Sequence, residues 1–166
     1  MNRSTERGFT LVEIMIVVAI IALLAAIAIP NVLRGRTTAN ESAAIGNMRA
    51  LVSSLEMFRS VNNLYPVTAN WVLDMYTTPT PDFGPPSFNH VMTGADPASV
   101  SQGYLYNYTS TTGAVYNIVA LPQVPGNTGT RSFFLDESGL IRHCTGATGV
   151  TAASNTIDRA PNAMCP

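Results

Sequence analysis

The chain has 166 residues, a formal net charge of −1 and 11% charged residues, well below the ~25% usual in soluble domains. Lysine is absent, so every basic side chain is an arginine, and the arginines are scattered along the chain. Such a balance excludes a dense basic patch for nucleic acid, and no specific nucleic-acid partner is inferred.

Residues 1–8, MNRSTERG, form a short polar leader, and residues 9–29 form a nearly unbroken apolar run with Glu13 as its single charge. At ~1.5 Å per residue, roughly 21 apolar residues match the ~30 Å hydrocarbon core of a bilayer. A secretory signal places its cleavage site after the apolar core. Here the leader ends at Gly8 before that core, so removing the leader keeps the helix. Arg3 and Arg7 favour a cytoplasmic leader, although Arg34 and Arg36 beyond the span dilute the asymmetry.

The string GFTLVE, Gly8 to Glu13, followed by the apolar span and by Pro30 toward its end, resembles the processing signal of type IV prepilins and related pseudopilins. The resemblance weakens beyond about Arg59. It implies a cut by a prepilin peptidase between Gly8 and Phe9, and methylation of the new Phe9 amine. A carboxylate within a membrane span is costly and usually has a partner. Two readings of Glu13 stand side by side. One places it near the positive end of its own helix dipole. The other, implied by the resemblance, pairs it with the amine of a neighbouring subunit's Phe9 and so sets helix stagger during assembly.

After Pro30 the pattern becomes amphipathic. Ala44, Met48, Leu51, Leu55 and Phe58 recur at spacings of three and four, while Asn40, Glu41, Asn47, Glu56 and most arginines of this stretch fall mainly on other faces. Pro30 lacks an amide hydrogen and is expected to kink or locally open the helix. By resemblance, it marks a stretch that unwinds during assembly. The helix is expected to end near Asn62 and Asn63, because Tyr65 precedes Pro66.

A head of about 100 residues, enough for a small core, follows. Thr68 is a candidate cap for a short helix over residues 69–76, and the proline-crowded stretch 79–86 reads as a loop. Strands are expected over 103–109, 114–121, 131–136 and 140–144, with Tyr104, Tyr106 and Tyr108 alternating onto one face. Asp136, Glu137, Ser138 and Gly139 form a hairpin-turn signal. The stretch TGTRSFFLDESGLIR, residues 128–142, also resembles a C-terminal segment of some bacterial pilin-like proteins.

The tyrosine row suits a packed sheet face better than a ligand site. His90 and His143 are far apart, and Asp136, Glu137 and Asp158 lack calcium-loop spacing, so neither a metal nor any other cofactor is expected. No nucleophile elbow, phosphate loop or catalytic triad is evident, and no catalytic residue is assigned. Cys144 and Cys165, the two cysteines, lie in the part placed outside the cytoplasm by the resemblance. A disulfide is the expected state there, two free thiols being the alternative.

The reading is therefore an α+β fold: a long N-terminal helix, with a membrane half at 9–30 and an amphipathic half at 31–63, packed on a small antiparallel sheet within the head at 64–166. By resemblance, the chain would be a structural subunit of a type IV pilus serving adhesion or motility. The expected disulfide and the lack of an evident calcium-ligating loop favour that over the alternative, a type II secretion pseudopilin building a periplasmic pseudopilus. Its partners would be other pilin subunits in a homopolymer, the prepilin peptidase, the inner-membrane assembly machinery and, before assembly, membrane lipid. The precursor would lie in a bacterial inner membrane, and the assembled subunit in an extracellular pilus.

Overall fold

The computed structural model describes residues 9–90, 92 and 100–145. The chain divides into two units, the boundary falling between Gly35 and Arg36. Gly8, Asp158 and Cys165, and most of the segment between the two cysteines, lie outside the described residues.

The first unit holds the N-terminal part of helix α1, which spans Leu11–Asn62 and 52 residues in all. Apart from half-buried Ala25, residues 11–35 are exposed. Leucine and alanine carry the helix here through good propensity, and the apolar side chains support it by i, i+4 contact. Of the kink or local opening expected at Pro30, the opening is not seen in the single chain, since α1 runs through it without a break. Proline forfeits one main-chain bond, and a cooperative helix with intact turns on both sides sustains that loss. Just beyond it, the Asn31 side-chain amide donates to the Ile27 carbonyl at 3.1 Å.

In the second unit α1 buries Glu41, Ala44, Met48, Leu51, Ser54, Leu55 and Phe58. The apolar members are the stripe read from the sequence. Asn63 ends the helix with φ of 60°, its N–H donating to the Arg59 carbonyl at 2.7 Å, so the chain turns out through a left-handed asparagine.

The expected short helix over 69–76 is present as one irregular helical segment, a 3-10 turn at Thr68–Asn70 that continues through Trp71 and Val72 into a π-helical turn at Leu73–Thr77. Thr68 does not cap it. The Thr68 hydroxyl donates to the Ser110 carbonyl at 3.0 Å and accepts from the Ser110 N–H at 2.7 Å, which ties this turn to the end of a strand.

Five strands follow: β1 (Val100–Ser101), β2 (Tyr104–Thr109), β3 (Asn117–Pro122), β4 (Arg131–Asp136) and β5 (Arg142–Thr145). They form one sheet in the order β1-β2-β3-β4-β5, each pair antiparallel. Strand β3 begins three residues later than expected and β5 two residues later. The β4–β5 turn is the one expected, with Gly139 at φ of 70° and its N–H donating to the Asp136 carbonyl at 3.0 Å.

One sheet face and the α1 stripe share a core of Met48, Leu51, Leu55, Tyr104, Tyr106, Tyr108, Ile118 and Phe133, joined by Trp71, Met75 and Phe88. Burying each such side chain contributes about 1.5–3 kcal/mol. The three tyrosines of β2 satisfy their hydroxyls inside this core, which is what a buried phenol requires. Tyr104 donates to the Arg131 carbonyl at 2.8 Å, Tyr108 to the Pro66 carbonyl at 2.6 Å, and Tyr106 accepts from the Asn47 amide at 3.1 Å.

Candidate assembly site

Phe9 is the first described residue and is 85% exposed. Thr10 caps α1, and Glu13 occupies the third helical position. The Thr10 N–H and hydroxyl each donate to Glu13 Oε2 at 2.8 Å, while the Glu13 N–H donates to Thr10 Oγ1 at 3.2 Å. This reciprocal arrangement is a capping box, satisfying donors that a helix start otherwise leaves open. Its T-x-x-E spacing is present in GFTLVE. Both Thr10 bonds converge on Oε2, so among the described residues Oε1 remains open to a further donor. The structure thus brings Phe9, Thr10 and Glu13 together at the start of α1 and leaves Pro30 about five turns away.

Sequence reasoning placed Glu41 on a polar face, whereas it is 5% exposed. Its Oε1 accepts from the Thr130 N–H at 2.9 Å, the Thr130 hydroxyl at 2.8 Å and the Arg131 N–H at 3.2 Å. Its Oε2 accepts from Arg131 Nε and Nη2, each at 2.7 Å. Burial pushes the Glu41 carboxyl up, but the Thr130 and Arg131 bonds together with the Arg131 charge outweigh it and hold the group below the usual carboxylate range. Beside it the Asn40 amide donates to the Thr128 carbonyl at 2.9 Å. Gly129 packs directly under the Tyr104 hydroxyl, where any side chain would collide. These contacts latch α1 onto the start of β4. The signal was available: Glu41 lies three residues before Ala44, on the same three-and-four spacing as the apolar stripe.

Cys144 is buried on β5 opposite Ser132. Its expected partner, Cys165, lies outside the described residues. Asp136 is engaged by Arg142 Nη1 at 2.8 Å and by the Ser138 hydroxyl, closing the β4–β5 hairpin. His143 is exposed on β5, and His90 is partly buried far along the chain from it. Among the described residues no cluster of three or more His, Cys, Asp or Glu could hold a metal ion.

Helix α1 is long and apolar enough to cross a membrane, with mean hydropathy of 3.0 over its most apolar window and none of that window buried. Residues 3–29 match the family described as the prokaryotic N-terminal methylation motif. The chain is 35% identical over 80 residues to the type II secretion system core protein G of Klebsiella michiganensis, covering 48% of this chain and 56% of that protein. It is 35% identical over 89 residues to the protein of the same name in Pseudomonas aeruginosa, covering 54% and 63%. With the type IV major pilin protein PilA of Myxococcus xanthus the identity is 48% over 65 residues, covering 39% of this chain and 30% of the pilin. The chain spans about half the length of the curated core G proteins it matches. No solved structure matches. The chain thus carries the prepilin-type N-terminal methylation motif on an apolar helix and is homologous to type II secretion core protein G and to a type IV pilin.

Proposed function

We propose that this chain is a structural subunit of a type II secretion pseudopilus, and that assembly, not catalysis, is its activity. One observation carries the proposal: the methylation motif leads directly into a stretch of α1 whose apolar side chains have no cover of their own. Lipid covers that surface in the inner-membrane precursor. Neighbouring copies replace the lipid on assembly, through van der Waals packing of apolar helices. A prepilin peptidase cuts after Gly8 and the Phe9 amine is methylated. That amine, still positive, then meets Oε1 of another copy's Glu13, while Thr10 keeps Oε2.

The recurrence of core G proteins among the relatives supports the pseudopilus over the pilus, reversing the order suggested by the sequence. The higher identity to a major pilin favours the second reading, a type IV pilus subunit exposed at the surface for adhesion or motility. Electron microscopy of sheared material with mass spectrometry of its protein tests the choice. Confinement to the envelope is expected, and abundance in long surface filaments would replace the first reading by the second. Intact mass should show loss of residues 1–8 and gain of one methyl group. Assembled protein retaining the leader would contradict both readings.

A further inference from the structure

The C-terminal end of α1, the π-helical turn and the loop that follows line a cavity of about 550 Å³ that opens to the surface. Its apolar walls include Met57, Phe58, Val61, Pro79, Pro81 and Phe83, and two carboxylates, Asp74 and Asp82, stand among them. Met57 and Val61 are 51% and 66% exposed. Burial alone raises the Asp74 carboxyl, and among the described residues no donor or cation engages it. An apolar hollow with two acids suits an occupant that presents an apolar surface and a cation together.

The chain itself displays such a surface. Arg36 is exposed on α1, and Val32 and Leu33, four and three positions before it, are 67% and 49% exposed. Those spacings put all three side chains on one helix face. Arg49, the next exposed arginine, has no comparable apolar company: Ile45 and Val52 beside it pack against the core. Arg36 cannot fill the cavity of its own chain, because it precedes Phe58 on the same helix by about six turns, roughly 33 Å.

We propose that the cavity receives the Val32–Leu33–Arg36 face of a second copy of this chain, the Arg36 guanidinium pairing with Asp74 and Asp82. The inference rests on the assembly reading and adds a register to it. Parallel helices displaced lengthwise by roughly 33 Å bring one copy's Arg36 level with another's cavity. Guanidinium is suited to the site because it is weakly hydrated and binds carboxylates through several donors.

The test uses the full chain expressed without the parental copy, reading polymer yield by sedimentation and cross-linking. Arg36→Asp and Asp82→Arg should each lower yield about tenfold or more through like-charge contact, and the double variant should recover most of it. Asp74→Asn should lower yield while leaving the thermal midpoint of the detergent-solubilised monomer at or above the parental value, since it removes a charge that folding desolvates. Parental yield from the single variants, or a double variant no better than either single, would overturn the pairing while leaving the assembly reading intact. A parental chain that forms no polymer would remove both.

Discussion

From Leu11 to Gly35, α1 leaves Ile14, Val17, Ile21 and Leu24 more than half exposed, whereas from Arg36 to Asn62 it buries Met48, Leu51 and Leu55 completely. The same helical backbone thus serves two different ends. In the second unit the apolar stripe is covered by the chain's own sheet, so its energy goes into folding. In the first unit the apolar surface is continuous around the helix, and under the proposed assembly its cover comes from lipid or from other copies. Substitutions in the two stretches should therefore fail in different assays.

The largest contrast is expected in unfolding. Leu51→Ala should cost about 2–5 kcal/mol by leaving a cavity in the core. Leu24→Ala should leave the unfolding of the second unit unchanged. Trp71, the single tryptophan and 1% exposed, supplies the fluorescence signal for denaturation of the detergent-solubilised chain. Equal losses from the two variants would erase the distinction.

A loss of roughly 3 kcal/mol is expected from Cys165→Ser if the Cys144–Cys165 bridge closes its loop of about 20 residues. Peptide mapping without reduction should recover the two cysteines linked, and alkylation of both in unreduced protein would contradict the bridge.

Glu41→Gln should cost about 1–3 kcal/mol, because Arg131 and the Thr130 donors lose their ionised acceptor. Its pH dependence follows from a folded-state pKa held low. The stabilisation is present above the unfolded value of about 4.3 and disappears as pH falls through the lower folded value. Parent and variant should therefore converge in acid. A gap that persists there would mean that packing, not charge, holds the latch.

What the sequence made legible follows from periodicity. The α1 stripe and the tyrosine face of β2 repeat at spacings that only one element satisfies, and both are found buried as expected. Strand β4 likewise lies over the expected residues 131–136, as a short β-prone run whose four central residues are buried rather than alternating. The irregular pieces carried no such period. Strand β1 has two residues and exists through its pairing with β2, and the π-helical turn has no sequence signature. Glu41 departs from the expected polar face because Thr130 and Arg131 supply the donors that let a carboxylate be buried, and its position in the stripe sets it on the core face. The Thr10 cap was legible in the T-x-x-E spacing of residues 10–13, a local signal independent of any partner chain.

The capping box also sharpens the experiment on the first unit. Replacing Glu13 by leucine removes the cap and the charge together, but Glu13→Gln retains an amide oxygen able to accept from Thr10 while abolishing the charge. The most direct measurement is polymer yield from a Glu13→Gln strain lacking the parental copy, with membrane insertion and leader removal checked in parallel. The account predicts normal insertion and a folded second unit, but polymer reduced to a small fraction of the parental amount, because no carboxylate is left to meet a neighbouring Phe9 amine. Parental polymer yield would contradict it and confine Glu13 to starting its own helix.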